Sequence, residues 1–489
     1  MSFFLGIDLG ASALKLSLID AQAAQIGACS VAITTQSPAP GYAEQDPAHW
    51  RNALQTALAQ LRATMPDTLD NLRGIAFTGG AHIAVLCDAH DAPLRPAIMW
   101  NDQRASAEAQ ILQAAPEVLE TAGNLPNPTW TLPQLCWLAQ HEPEILARVA
   151  RIYFAKDWLR AQLTGDHCTD AGEVTGAMLG NIRTGQWSEH LLARAGIDPS
   201  AMPTPVSPFQ EVGATGTKAV AFQLPARVPV FQGSIDTTLE WLCCGPPAAG
   251  HTSIKLASAG VVSHTTQALA PQPPVSIYPH VTDTLYYHAA GMNNCAGALD
   301  WFAHVFAPTH TLDEIAAMAA SVAPGADGVL FHPYLLGERA PHWNTDLAAS
   351  FTGLTRATTR AHLARAVFEG VGHAFAQIWQ SMSITTGTDI STSTLLGGGT
   401  NSAFWCQMIA DMLGLHMQLP ERTDAAYGAA LLSAYAGGSF ETLADAAHAG
   451  YQCRAEFSPD KQTHAWYADA QKLYDVAFDR FHRGHDATN

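Results

Sequence analysis

Charge is scarce in this sequence. Asp, Glu, Lys and Arg make up 14% of 489 residues, and 25 basic residues face 43 acidic ones, a formal net charge of −18. With no Lys/Arg-rich run, this balance argues against a nucleic-acid surface or an anionic membrane partner, and an anionic ligand needs a local cradle. No apolar run reaches the ~18 residues that span a bilayer. The opening Met1–Asp8 lacks the basic and apolar regions of a signal peptide, so a cytoplasmic protein is expected. Cysteines stand singly apart from Cys243-Cys244, with no C-x-x-C, and reduced thiols packed as small core residues are expected. The chain also has no H-E-x-x-H, no G-x-x-x-x-G-K-[ST] and no complete G-x-G-x-x-G, which argues against a dedicated zinc site, a P-loop and a dinucleotide fold. What abounds is hydrophobic residue, 48% of the chain, over a length that suggests two large domains or roughly three ordinary ones.

Apolar spacing alternates between the strand and helix periods, which makes the class α/β. Phe3 to Asp20 reads as a β-hairpin turning at Gly10, Gly74 to Phe77 as a strand, and Pro47 to Ala63 as a helix with Trp50, Leu54, Ala57, Leu58 and Leu61 on one face. Ile145 to Leu163 reads as largely helical, and a stretch marked by proline and glycine leads to a hinge near residues 225–250. Thr252 to Thr265 repeats the opening hairpin around Ala257-Ser258-Ala259-Gly260; alone, such a pair of small-residue turns reads as coincidence rather than duplication. A long helix is expected over His362 to Met382, and a helical pattern recurs through Trp466, Ala470, Leu473, Ala477 and Phe481.

Several places carry residues suited to chemistry. Asp8 ends a buried strand and faces a turn with Gly10 and Ser12, then Lys15. Backbone N–H groups of such turns bind anions and a carboxylate suits hydrated Mg²⁺, although an Asp that merely terminates a strand fits the same pattern. Asp236, in Gly233-Ser234-Ile235-Asp236-Thr237-Thr238, is either a helix cap or a carboxylate that accepts the proton of an attacking hydroxyl. His82 and Trp100-Asn101-Asp102-Gln103-Arg104 gather donors, acceptors and a stacking face suited to a polyhydroxylated ligand. Gly397-Gly398-Gly399 lets a nucleotide lie against the backbone ahead of a helix capped by Ser402. Gly337-Glu338-Arg339-Ala340-Pro341-His342 reads as a salt-bridged surface turn.

Taken in order, these stretches resemble the FGGY family of carbohydrate kinases, within the actin- and hexokinase-like ATPases. The resemblance is carried by Gly6-Ile7-Asp8-Leu9-Gly10, Glu44-Gln45-Asp46-Pro47, Ile98-Met99-Trp100-Asn101-Asp102, Lys156-Asp157-Trp158-Leu159, the Asp236 segment, Gly337 to His342 and the glycine loop. Ala349 to Glu369 resembles the family's second signature at Phe351, Gly353, Leu354, His362, Leu363, Ala366 and Glu369. The resemblance implies an α/β chain of two ribonuclease H-like (actin-like ATPase) lobes with a central cleft. Residues 1–244 would hold the sugar and 245–489 the nucleotide, the residues after about Ser458 packing back on the first lobe. It further implies ATP- and Mg²⁺-dependent phosphorylation of a ketopentose, D-xylulose first, with Asp236 as general base. Asp8 would organise Mg²⁺ and phosphate, and Asp8 and Asp236 would be the metal-side carboxylates. By position, Ala81, His82, Trp100, Asn101, Asp236 and Thr237 would line the sugar pocket. Gly10, Ala11, Ser12 and Lys15, with Ala257, Ser258 and Gly260, would face the phosphates, and Gly398, Gly399 and Asn401 the adenosine.

The chain departs from the family pattern at Gly80-Ala81, where Gln-Met precedes the histidine in xylulose-phosphorylating members, and at Thr237, where Asn is typical. Ala11 replaces Thr, Ala257-Ser258-Ala259-Gly260 replaces Gly-Thr-Ser-Gly, and Gln134 replaces Lys. The altered sugar side leaves another ketose or a polyol as an alternative substrate. Hydrogen bonds to charged groups are worth about 1.5–3 kcal/mol each, so the lost phosphate-side hydroxyls motivate a second reading, a non-catalytic sugar- or nucleotide-binding protein. A chaperone-like ATPase on the same superfamily fold is a third. The expected partner is a small-molecule sugar, with no nucleic acid and no membrane, and a homodimer is the candidate assembly.

Overall fold

The computed structural model describes residues 2–271, 273–386 and 390–483; residues 484–489, the end of the expected second lobe, lie outside the described residues. The chain forms two compact units. Unit one comprises Met1–Pro247, Ile277–Tyr286 and Arg422–Tyr451, and unit two Ala248–Ser276, Tyr287–Glu421 and Gln452–Asn489. The segment expected to return to the first lobe is therefore a different one: Arg422–Tyr451 joins unit one, while the closing helix Lys461–Phe478 stays with unit two. Polar bonds hold that helix there. The Tyr467 hydroxyl donates to Glu369 Oε1 at 2.8 Å and accepts from Arg365 Nη2 at 2.6 Å.

Unit one is built on β1 (Phe3–Leu9), β2 (Ala13–Asp20), β3 (Gln25–Ala32), β4 (Leu72–Gly79), β5 (Glu211–Ala214) and β6 (Pro229–Phe231), in the sheet order β5-β6-β4-β1-β2-β3. Every residue of β1 is buried because both faces are covered. Phe3, Leu5, Ile7 and Leu9 pack with Trp50, Leu54 and Leu58 of the Pro47–Thr64 helix. Phe4, of opposite parity, packs with Tyr427, Ala430 and Leu431 of the Ala425–Ala436 helix. On that second face Gly6 leaves room for close approach: a Cβ there would lie 1.9 Å from Ala426 O and 2.4 Å from Ala430 N. Asp8 follows two residues later on the same face.

Unit two contains β7 (Thr252–Leu256), β8 (Gly260–Thr266), β9 (Tyr286–Met292), β10 (Thr392–Leu396), β11 (His416–Pro420) and β12 (Cys453–Phe457), ordered β9-β8-β7-β10-β11-β12. The arrangement repeats that of unit one. In each unit a hairpin's first strand pairs antiparallel with the second and parallel with the fourth, and the fourth pairs parallel with one further strand, β6 in unit one and β11 in unit two. The two hairpins, read alone as coincidence, are equivalent parts of one architecture built twice.

Two sequence readings are refined. The long helix runs Arg360–Thr386. The stretch from Ile145 is not continuously helical: Arg151–Phe154 is a strand paired with Ala84–Cys87, and the helix begins only at Ala155. Ile152, Tyr153 and Phe154 are buried β-branched and aromatic residues, which favour the pleated surface over a helical turn. All nine cysteines are free thiols. No helix among the described residues is long and apolar enough to cross a membrane.

Candidate functional site

On unit one, Asp8 is 6% exposed, and its Oδ1 has no hydrogen-bond partner among the described residues. Burial, followed by the carboxylates of Asp236, Asp424 and Glu240, pushes its pKa from 3.8 up to about 7; Lys15, opposite Asp8 in the β1–β2 register, pulls it down. The β1–β2 turn is tied at its carbonyls: Ala11 O accepts from Gln45 Nε2 at 2.7 Å and Ser12 O from Ile33 N at 2.8 Å. Gly10 N donates to Ala13 O at 3.1 Å, and the side chains of Ser12 and Lys15 are exposed.

The Asp236 segment leaves β6 through Gly233, whose φ is +72° and whose Cβ would sit 1.8 Å from Phe77 O, so only glycine lets the chain turn against β4. Ile235, not Asp236, occupies the cap of the Asp236–Leu242 helix. Capping therefore does not explain this aspartate. Its Oδ1 accepts from Thr237 N at 2.6 Å and from the Thr237 hydroxyl at 3.2 Å, and its Oδ2 has no hydrogen bond among the described residues.

His82 has a φ of +54°, uncommon for a residue with a Cβ. Its N–H donates to Glu173 Oε2 at 2.6 Å and its carbonyl accepts from the Thr131 hydroxyl at 2.7 Å. The ring lies 5.5 Å from that of Trp130, which is 5.9 Å from Tyr278. Burial lowers the His82 pKa from 6.5 to about 4, so the imidazole is neutral, and its Nδ1 has no partner among the described residues. Trp100 is 47% exposed, its Cδ1 3.9 Å from where a Cβ on Gly80 would be. Ala81 and Thr237 are half-buried and Asn101 is exposed. Asp102 anchors this loop: it accepts from Ala43 N at 2.6 Å and pairs with Arg104 at 2.7 Å. The sequence pattern had not singled out Trp130, Tyr278 or Glu173 for the sugar side; no local spacing links three distant segments.

On unit two, the turn after β7 presents Ala257 O to Ala296 N at 2.8 Å, and Ser258 O to Cys295 N at 2.9 Å and Gly297 N at 3.1 Å. Gly260 is buried, its Cβ position 2.6 Å from Phe375 and 2.7 Å from Met292, so glycine there serves packing. The glycine loop splits by role. Gly397 has φ +90°, Gly399 has Trp405 2.6 Å from its Cβ position, and Gly398 is exposed with nothing within 4 Å. Asn401 is exposed, and the Ser402 hydroxyl caps the next helix by accepting from Trp405 N at 3.3 Å, as the sequence predicts.

Glu338 corrects the reading of its loop as a surface turn. It is 2% exposed; Oε1 accepts from Asn293 N at 2.8 Å and Arg339 N at 2.7 Å, and Oε2 has no partner among the described residues. Burial raises its pKa from 4.5 to about 7. A carboxyl with a raised folded pKa contributes stability that is full below its unfolded value and lost as pH rises through the folded one. Glu338→Gln keeps the Oε1 acceptor without the charge, so its melting temperature is expected to exceed that of the wild type at about pH 8 and to match it at about pH 5. Thermal melts at both values check this, and a gap independent of pH would rule out ionisation as its cause.

Two α/β units, each a hairpin extended by parallel strands, are the architecture of the actin-like ATPases, and a buried carboxylate at the first hairpin suits a phosphoryl-transfer enzyme. Residues 3–243 match the N-terminal domain of the FGGY family of carbohydrate kinases and residues 258–437 its C-terminal domain. The chain belongs to that family, and it is therefore a sugar kinase with ATP as its phosphoryl donor. It is 30% identical over 481 residues to a xylulose kinase from Lactococcus lactis, covering 97% of this chain and 96% of the relative. A gluconokinase from Bacillus subtilis is 26% identical, covering 91% and 90%. The crystal structure of a "xyloylose kinase" from Brucella ovis superposes with a TM-score of 0.93 at 31% identity, covering 98% of this chain and 99% of that one.

Proposed function

We propose that this chain transfers the γ-phosphoryl group of ATP to a primary hydroxyl of a ketopentose, converting D-xylulose to D-xylulose 5-phosphate. The observation that carries the reading is the buried Asp8 carboxylate with its unpartnered Oδ1, in the field of Asp236. The xylulose kinase relative, matched over nearly its whole length, supports the substrate. Phosphoryl transfer asks little covalent chemistry of a protein and much positioning and charge neutralisation. Thr237 holds Asp236 Oδ1, and Oδ2 takes the proton of the attacking hydroxyl. The neutral His82, with Trp130 and Trp100, meets the sugar; Ala81, Asn101 and Thr237 complete that side.

The orphaned Asp8 Oδ1 among neighbouring carboxylates fits a hard divalent cation; Asp8 would hold Mg²⁺ with the Asp236 carboxylate beside it adding negative charge, and the ion when bound neutralises the phosphates. Among the described residues no three His, Cys, Asp or Glu side chains form a metal-holding group. Phosphate and water oxygens would therefore fill most of the shell. On unit one the turn from Gly10 to Ser12, with Lys15, faces phosphate; on unit two Ala257 and Ser258 do so, and Gly398 with Asn401 takes the nucleoside. Gly260 belongs to the same turn, and its lack of a side chain serves packing against Phe375 and Met292.

The test is ADP release from Mg·ATP with pentuloses, hexuloses, pentitols, glycerol and gluconate. D-xylulose is expected to give the highest turnover. A maximum with gluconate or a hexulose would replace the substrate, a second reading favoured by the gluconokinase relative and by the lack of a side chain at Gly80 beside Trp100. No turnover with any sugar would favour a binding protein.

A further inference from the structure

Lys156, Asp157, Arg160, Asp170 and Glu173 are all at most 1% exposed. Lys156 Nζ lies 2.8 Å from Asp157 Oδ1 and 2.7 Å from Asp170 Oδ1, and Arg160 Nη1 lies 2.6 Å from Asp157 Oδ1. Replacing buried ion clusters by apolar packing is often neutral or stabilising, so stability alone does not account for this one. A fixed geometry does. The bonds leaving the cluster show which geometry is fixed.

One set ends on the segment before Asp236. Gln232 Nε2 donates to Asp157 Oδ1 at 2.9 Å, Arg160 Nη1 donates to Gln232 O at 3.1 Å, and the Ser234 hydroxyl donates to Asp170 Oδ2 at 2.7 Å. The other ends on His82, whose N–H donates to Glu173 Oε2 at 2.6 Å. Asp170 and Glu173 belong to one short element: Asp170 caps the Ala171–Gly176 helix by accepting from Gly172 N at 3.1 Å, and Glu173 is in its first turn. Small residues let that helix approach both ends. A Cβ on Gly172 would lie 3.2 Å from Ile235, and one on Gly176 3.3 Å from His82 Cδ2.

We propose that the Ala171–Gly176 helix, seated by Lys156, is a two-ended clamp in which Asp170 positions the Asp236 segment through Ser234 and Glu173 positions His82. Base and sugar contact are thereby held at a fixed spacing. None of these three residues touches substrate; each is a positioning residue. The inference rests on the reading of Asp236 as base and His82 as sugar contact.

The test is steady-state kinetics of Ser234→Ala, Glu173→Ala and Glu173→Gln, with thermal melts and with Asp236→Asn run beside them. Ser234→Ala is expected to lower kcat about tenfold with sugar KM within about twofold, the loss of one hydrogen bond to a charged acceptor. Glu173→Ala is expected to raise sugar KM about tenfold, and Glu173→Gln to restore it, because the amide oxygen still accepts from His82 N. Wild-type kcat in Ser234→Ala, or a Glu173→Gln protein as impaired in KM as Glu173→Ala, overturns the clamp. Ser234→Ala removes one hydroxyl and no charge, so it decides the case even where Glu173→Ala does not fold. If Asp236→Asn keeps its turnover, the base assignment fails separately, and the Glu173 arm still judges the clamp through KM.

Discussion

Asp236→Asn is expected to lower phosphoryl transfer by about a thousandfold, the scale of a well-placed general base, with little change in sugar KM. The reason lies in what the substitution keeps. The amide has the shape of the carboxylate, and its oxygen still accepts from Thr237 N and the Thr237 hydroxyl. What is lost is the capacity to take a proton at Oδ2. Fold and stability are also expected to survive, because Asp236 contributes to the unfavourable field that, after burial, raises the Asp8 pKa. Removing that charge eases Asp8 rather than straining it. Turnover within tenfold of wild type at an unchanged melting temperature would reject Asp236 as the base.

How much of this was legible in advance varies with the kind of signal. Strands and helices with strong periodicity were readable, as at Phe3–Asp20 and Pro47–Thr64, because burial of one face writes itself into spacing. Arg151–Phe154 was not: a four-residue strand joined directly to a helix has too few residues to show its period. The residues around Asp8 and Asp236 were legible through family resemblance, but their local surroundings were not. Asp424 and Glu240 reach Asp8 from other elements; Trp130 and Glu173 reach His82, and Tyr278 reaches Trp130, from segments far away in sequence. The burial of Glu338 was hidden for a similar reason. Gly-Glu-Arg-Ala-Pro-His has the composition of a surface turn, and besides its neighbour Arg339 the carboxylate takes its partner from the backbone of the distant Asn293.

Two signature glycines look alike in sequence and are expected to respond in opposite ways to the same substitution. Gly6→Ala places a methyl group 1.9 Å from Ala426 O and 2.4 Å from Ala430 N, backbone atoms that no rotamer change can move aside. Either β1 or the Ala425–Ala436 helix must shift, and overpacking of this kind costs about 3 kcal/mol. Asp8 lies two residues away on the same face, so turnover is expected to fall along with stability. Gly398→Ala meets nothing within 4 Å. Its melting temperature is expected to equal that of the wild type, while KM for ATP rises about tenfold, since a methyl group then stands where the nucleotide would lie against open backbone. Denaturant melts and ATP titrations of the two proteins separate these effects. A Gly6→Ala protein of wild-type stability would mean that the helix is not seated on β1. A Gly398→Ala protein with unchanged KM for ATP would move the nucleotide off the glycine loop.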